Sequence, residues 1–220
     1  MPEDYVRRLE NCVKQMLKPL KGVPFNLVIE QLSGHRVLPF GDSTLYDRRL
    51  LKVMREAVIL AGTTINRKGI LSRRANEVGN YIEPFVKNAM NQHGLKADVP
   101  RCQSGKRKAS GYPDIEFIFE DRVHYAECKT YNARNFATTQ RSFYFSPSKD
   151  FKVTCDAHHF LFSYEVYEAK SGPKNLYRCR HWRILSLGKL AVDVKFEFNS
   201  DNIRLYGDKA GARTLDEGEL

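Results

Sequence analysis

The stretch GYPDIEFIFEDRVHYAECK, residues 111–129, changes the period of the chain and decides how the rest is read. Ile115, Phe117 and Phe119 alternate with polar residues, a charged break follows at Glu120-Asp121-Arg122, and Val123, Tyr125 and Glu127 continue beyond it. Alternation interrupted by a short polar break is the pattern of a β-hairpin. If the turn centres on Asp121, Asp114 falls opposite Cys128; a two-residue turn places it opposite Glu127 or Lys129 instead. Side chains alternate faces along a strand, so Glu127 and Lys129 share one face and Cys128 takes the other. The hairpin therefore brings two acids and an amine together at one end.

Upstream the pattern is helical. Val6, Leu9, Val13, Met16, Leu17 and Leu20 recur at helical spacing up to Pro19 and predict an amphipathic packing or subunit-contact helix. Gly41-Asp42-Ser43-Thr44 offers N-caps to a second helix running to about Leu60, with Gly62 as its stop. A third is expected from Ala75 to His93 with an apolar stripe of Val78, Ile82, Phe85, Val86 and Ala89. Pro84 implies a kink there, or a first turn beginning near Glu83. Downstream, strands are predicted over Phe151–Cys155, His159–Tyr167, Tyr177–Leu187 and Ala191–Phe198. Helices, a hairpin and further strands in that order define an α+β or mixed α/β fold. Residues 1–220 are expected to form a single domain: a helical N-terminal part (1–70), a core (75–198) and a polar, Gly-rich tail (199–220).

Composition narrows the function. The 220 residues carry 36 Lys and Arg against 26 Asp and Glu, a net charge of +10, which suits a polyanionic partner. With 42% hydrophobic residues a sizeable core can form, yet no apolar run is long enough to span a membrane. Met1–Glu10 begins with acids, so no signal peptide is expected. The five cysteines (Cys12, Cys102, Cys128, Cys155 and Cys179) are scattered and never form a CxxC pair. A disulfide framework or structural zinc site is not expected, and a cytoplasmic location is.

Two converging carboxylates, Asp114 and Glu127, suit a hard divalent cation such as Mg²⁺, which takes oxygen ligands and keeps several waters. The backbone carbonyl of Cys128 is a candidate third ligand. Lys129 is placed to orient a water or to stabilise growing negative charge. Together these residues point to metal-assisted phosphodiester hydrolysis. His158 and His159 are adjacent on a strand and face opposite ways, which predicts one buried or hydrogen-bonded ring and one at the surface, with no metal site. Cys128 is read as a small core residue.

Tyr112-Pro113-Asp114 followed by Ala126-Glu127-Cys128-Lys129 resembles the signature of the PD-(D/E)xK nuclease superfamily, and within it type II restriction endonucleases most closely. The resemblance covers about Asn76 to Tyr167. It implies a restriction-endonuclease-like core with a mixed central β-sheet flanked by helices, Mg²⁺ dependence and a homodimer. It further implies double-strand cuts at a short palindromic DNA site that leave 5′-phosphate ends. A preceding helix with an acid is usual in that superfamily; Glu83 fits it, with Glu77 as rival. The chain shows no helicase or ATP-binding motif, so no nucleotide cofactor is expected. A repair or junction-resolving nuclease on the same fold, and a non-catalytic DNA-binding protein, are the alternatives.

The basic loop before Asp114, with Arg101, Lys106, Arg107 and Lys108, is expected to contact the phosphate backbone of double-stranded DNA, which positions without reading sequence. Arg134, Asn135, Gln140 and Arg141 follow the Glu127 strand and are candidate base readers, since Arg matches guanine and Asn or Gln matches adenine. Lys174, Asn175, Arg178 and Arg180 make a second candidate surface.

Overall fold

The computed structural model describes residues 2–18, 20–41, 43–74, 77–135 and 143–196. In chain order the elements are α1 (Glu3–Met16), β1 (Leu20–Pro24), α2 (Phe25–Ser33), α3 (Leu45–Lys68), β2 (Ile70–Ser72) and α4 (Gly79–Gln92). They are followed by β3 (Ile115–Phe119), β4 (Arg122–Tyr131), β5 (His159–Lys170), β6 (Asn175–Ser186) and β7 (Ala191–Val194). The fold is mixed α/β, as the sequence predicts. A five-stranded sheet runs in the order β2-β6-β5-β4-β3. Only β4 and β5 pair in parallel; the other neighbours are antiparallel.

The hairpin forms as expected, and its turn is the two-residue alternative. Glu120 and Asp121 adopt positive φ (46° and 61°), the backbone twist that a tight hairpin requires. Ile115 pairs with Ala126, and the register runs without a bulge to Phe119 opposite Arg122. Continuing it by one residue sets Asp114 against Glu127, not Cys128. Arg49 clamps the turn from α3, its Nε and Nη2 donating to the two carboxylate oxygens of Glu120 at 2.9 and 2.7 Å.

The helices cover the sheet through one apolar stripe each. Along α3, Leu50, Met54, Ala57, Val58, Ala61 and Ile65 are buried at helical spacing. Ile82, Val86, Ala89 and Met90 do the same on α4. They close on Ala126, Cys128, Phe160, Phe162 and Tyr164 of β4 and β5 in one core. Thr44 caps α3, its side chain accepting from the Asp47 N–H, as its place in the sequence suggests. Gly62 does not end the helix: α3 runs on to Lys68, and Gly69 is the cap. Gly62 is small because the Tyr164 ring lies against it, 3.4 Å from where a Cβ would stand.

Other expectations are corrected by packing. The third helix starts at Gly79, with Pro84 inside it, so the reading that begins a first turn near Glu83 fails. Phe151–Cys155 is not a strand. His158 and His159 are both buried, so neither is a surface residue. The short elements α2, β1 and β2 carry too few periodic positions to announce themselves. The tail from 197 onward lies outside the described residues.

By compactness the chain divides into Pro24–Ala191 and a second unit, Met1–Val23 with Val192–Leu220. In the second, the Gly22 N–H donates to Asp193 Oδ1 at 2.9 Å, and α1 buries none of its residues. Among the described residues no helix is long and apolar enough to cross a membrane.

Candidate active site

Asp114 sits immediately before β3, and its Oδ2 accepts the backbone N–H of Cys128 at 2.9 Å. This bond fixes the acid against the strand that carries the other two residues. Glu127 and Lys129 lie on the face of β4 opposite to Ala126 and Cys128, whose side chains enter the core. Lys129 Nζ reaches Glu127 Oε1 at 2.5 Å. The second carboxylate oxygen, Oε2, is buried and has no hydrogen-bond partner among the described residues. A buried acceptor left unmatched is costly and asks for a partner; a divalent cation or its coordinated water is such a partner, so the donor set fits an oxygen-loving metal.

The electrostatics follow from two acids drawn out of water together. Burial and the neighbouring Asp114 push the Glu127 carboxyl up to about 7, with Lys129 pulling against them. Burial also raises Asp114, opposed by the Cys128 N–H and by Lys129. Burial works against the Lys129 ammonium, but Glu127 and Asp114 outweigh it and hold it above the ordinary lysine value. Burial is the first cause of both raised carboxyls, and a bound cation would offset the cost of ionising them together.

Among the described residues, no three His, Cys, Asp or Glu side chains gather into a complete metal cage. Two carboxylates and a backbone carbonyl leave room for the waters that a small hard cation retains. Glu83, on α4, is paired with Lys87 at 2.8 Å and still contributes to the field that raises Asp114. Glu77 is engaged elsewhere, accepting from Ser72 Oγ at 3.0 Å. Cys128 is buried as predicted.

In the basic loop, Arg101 pairs with Arg107 in a backbone bridge, and Arg107 is committed to Asp98 at 3.0 Å. Lys106 and Lys108 are exposed. Arg134 is exposed beyond the end of β4; the side chain of Asn135, and Gln140 and Arg141 altogether, lie outside the described residues. In the second candidate surface, Asn175 bonds Glu168 at 2.9 Å and Arg180 lies over the Tyr167 ring.

Sequence reasoning misses one neighbour of the candidate site, Lys152. It is buried, and its Nζ donates to the carbonyls of Gly111 and Pro113 at 2.5 Å each and of Ala109 at 3.3 Å. No spacing rule links it to Asp114, and a lysine in a basic chain gives no signal. Tyr112 is held in the same region by His159, whose Nδ1 lies 2.6 Å from its hydroxyl, and by Phe25, Phe143 and Phe145.

The comparisons with known proteins agree with the class that this fold and site describe. The family model of the type II restriction enzyme MjaV family matches residues 19–209, and the chain belongs to that family of restriction endonucleases. Type II restriction enzyme MjaV of Methanocaldococcus jannaschii is 34% identical over 220 residues, covering 93% of this chain and 94% of its own length. No solved structure matches the chain.

Proposed function

We propose that this restriction endonuclease makes Mg²⁺-dependent double-strand cuts at a short palindromic DNA sequence, acting as a homodimer in the cytoplasm and leaving 5′-phosphate and 3′-hydroxyl ends. Residues 1–220 act as one nuclease domain with the catalytic core in 75–198. The observation that carries the reading is the pair of acids held together by the Asp114–Cys128 bond, with one buried Glu127 oxygen that no described residue partners and a lysine on the other.

Asp114, Glu127 and the Cys128 carbonyl would hold the cation. When bound, it polarises a phosphate oxygen and lowers the pKa of a coordinated water. Lys129 presents its ammonium beside Glu127, where it orients the attacking water and balances charge growing on the phosphate. Glu83 serves as the accessory acid, through its field at Asp114. Water adds across one phosphodiester bond, the P–O3′ bond breaks, and the phosphate stays on the 5′ end. Arg101, Lys106, Arg107 and Lys108 support the duplex through its phosphates, Lys106 and Lys108 most directly because Arg107 is paired. Arg134, Asn135, Gln140 and Arg141 are placed in sequence to read base edges.

Plasmid digestion with Mg²⁺ tests the substrate: discrete fragments are expected, whereas cutting confined to branched DNA, or binding without cutting, would overturn the reading. Asp114→Ala, Glu127→Ala and Lys129→Ala should each abolish or nearly abolish cutting. Binding isotherms separate their roles. Ca²⁺ should tighten DNA binding by the wild type and by Lys129→Ala, and do little for the two carboxylate variants. Equal tightening in all four proteins would show that Asp114 and Glu127 do not hold the metal.

A further inference from the structure

We propose that Lys152 is a positioning residue for the cleavage site, an internal tie that sets the separation between the loop carrying Asp114 and the strand carrying Glu127. The inference rests on the reading of those two acids as metal ligands. Lysine is among the residues least often found fully buried, and a buried ammonium persists only when its donors are satisfied. Lys152 is 4% exposed, and it uses its three donors on three carbonyls of one loop, those of Ala109, Gly111 and Pro113. The last of these belongs to the residue before Asp114. All three bonds are therefore spent on the path of the chain into the first acid.

A tie needs a fixed anchor at its other end, and Lys152 has one. The preceding carbonyl, of Phe151, accepts the Gln103 N–H at 2.8 Å. Two residues on, the Thr154 N–H donates to the Tyr125 hydroxyl at 2.9 Å. Val153 between them is buried. Tyr125 stands on β4 two residues before Glu127 and on the same face. The lysine thus has its backbone fastened to the Glu127 strand and its tip fastened to the Asp114 loop. The Asp114–Cys128 bond closes the same circuit from the opposite side. Two ligand-bearing segments held at two points keep a constant spacing, which is what preorganised binding of a small cation requires.

Position and charge make opposite demands, so the sign of the effect decides between them. If Lys152 acted only as a nearby positive charge, removing it would favour a cation. If it sets the spacing, removing it weakens metal binding.

The test is Ca²⁺ binding by the full-length protein at pH 8.5, without DNA, for wild type, Lys152→Gln and Asp114→Asn, each verified as folded by circular dichroism. Lys152→Gln should raise the Ca²⁺ dissociation constant at least tenfold. In cleavage, it should raise the Mg²⁺ concentration for half-maximal rate by a similar factor while the rate at saturating Mg²⁺ falls much less. Unchanged or tighter Ca²⁺ binding by a folded Lys152→Gln would overturn the proposal. Asp114→Asn is the control for the underlying reading: if it binds Ca²⁺ like wild type, the acids are not ligands and the failure lies there.

Should Lys152→Gln not fold, ¹⁵N-lysine NMR of the intact wild type gives the answer. The slowly exchanging ammonium signal expected of this buried lysine should shift on adding Ca²⁺ to wild type and stay in place with Asp114→Asn. A signal indifferent to Ca²⁺ in wild type would overturn the tie.

Discussion

A glutamate that titrates near neutrality makes the metal-free protein pH-sensitive in a direction that can be worked out. Unfolded glutamate titrates at about 4.3, whereas folded Glu127 does so at about 7 because of burial and Asp114. Between those values the folded state keeps a proton that the unfolded chain releases. The contribution to stability is therefore fully present below about pH 4.3, falls as pH rises to 7 and is level above it. Glu127→Gln removes the titration. In EDTA it should melt higher than wild type at pH 8, by at most about 4 kcal/mol of stability, and match it at pH 4. His124 and His159, held neutral down to about pH 3 mainly by burial, pull the other way. Stability from them is lost as pH falls below about 6.5, but it is common to both proteins and cancels in the difference. A gap between the two melting temperatures that is the same at both pH values would show an ordinary Glu127. At this scale the sequence discloses residue types and spacing, because a strand has period two. It does not disclose Lys152, because nothing local connects a lysine to carbonyls of a distant loop.

At the scale of elements, Gly62 shows how a sequence signal is overridden. Glycine near the end of a helical pattern is a reasonable stop, yet α3 continues because Ile65 still has a core to enter and Tyr164 needs the space beside Gly62. The Tyr164 hydroxyl is held by the Val58 carbonyl at 3.0 Å, so the ring has little freedom to retreat. Gly62→Leu should cost about 2 kcal/mol through overpacking, despite the better helix propensity of leucine. Chemical denaturation checks it, and a neutral or stabilising result would mean that the helix–sheet gap is loose. The hairpin, the Thr44 cap and the apolar stripes of α3 and α4 are legible beforehand because each depends on neighbours in sequence. The parallel pairing of β4 with β5, the edge strand β2 and the loss of the expected 151–155 strand are not, because they are decided by which segments meet across the sheet.

For the molecule as a whole, a palindromic duplex presents two equivalent scissile bonds, whereas this chain supplies one Asp114–Glu127–Lys129 cluster. A twofold dimer matches those symmetries with one interface used twice. Within the second compact unit, α1 offers a surface for it: Tyr5, Leu9, Val13 and Met16 recur at helical spacing and stand between about 38% and 51% exposed. An amphipathic helix with an unburied apolar stripe is a usual sign of an interaction site. Leu9→Glu with Val13→Glu places two like charges on that stripe, and in a twofold contact each meets its own copy. The double variant should shift the protein from dimer to monomer in sedimentation velocity, while its far-ultraviolet circular dichroism stays unchanged. On a supercoiled plasmid it should accumulate nicked circles where wild type passes quickly to linear product, since each monomer still carries the Asp114–Glu127–Lys129 cluster and would lack only a partner on the opposite strand. A double variant that stays dimeric and makes linear product at the wild-type rate would move the interface away from α1. A wild type that is monomeric both free and on its cleaved duplex would remove the twofold arrangement itself and leave one subunit to cut the two strands in turn.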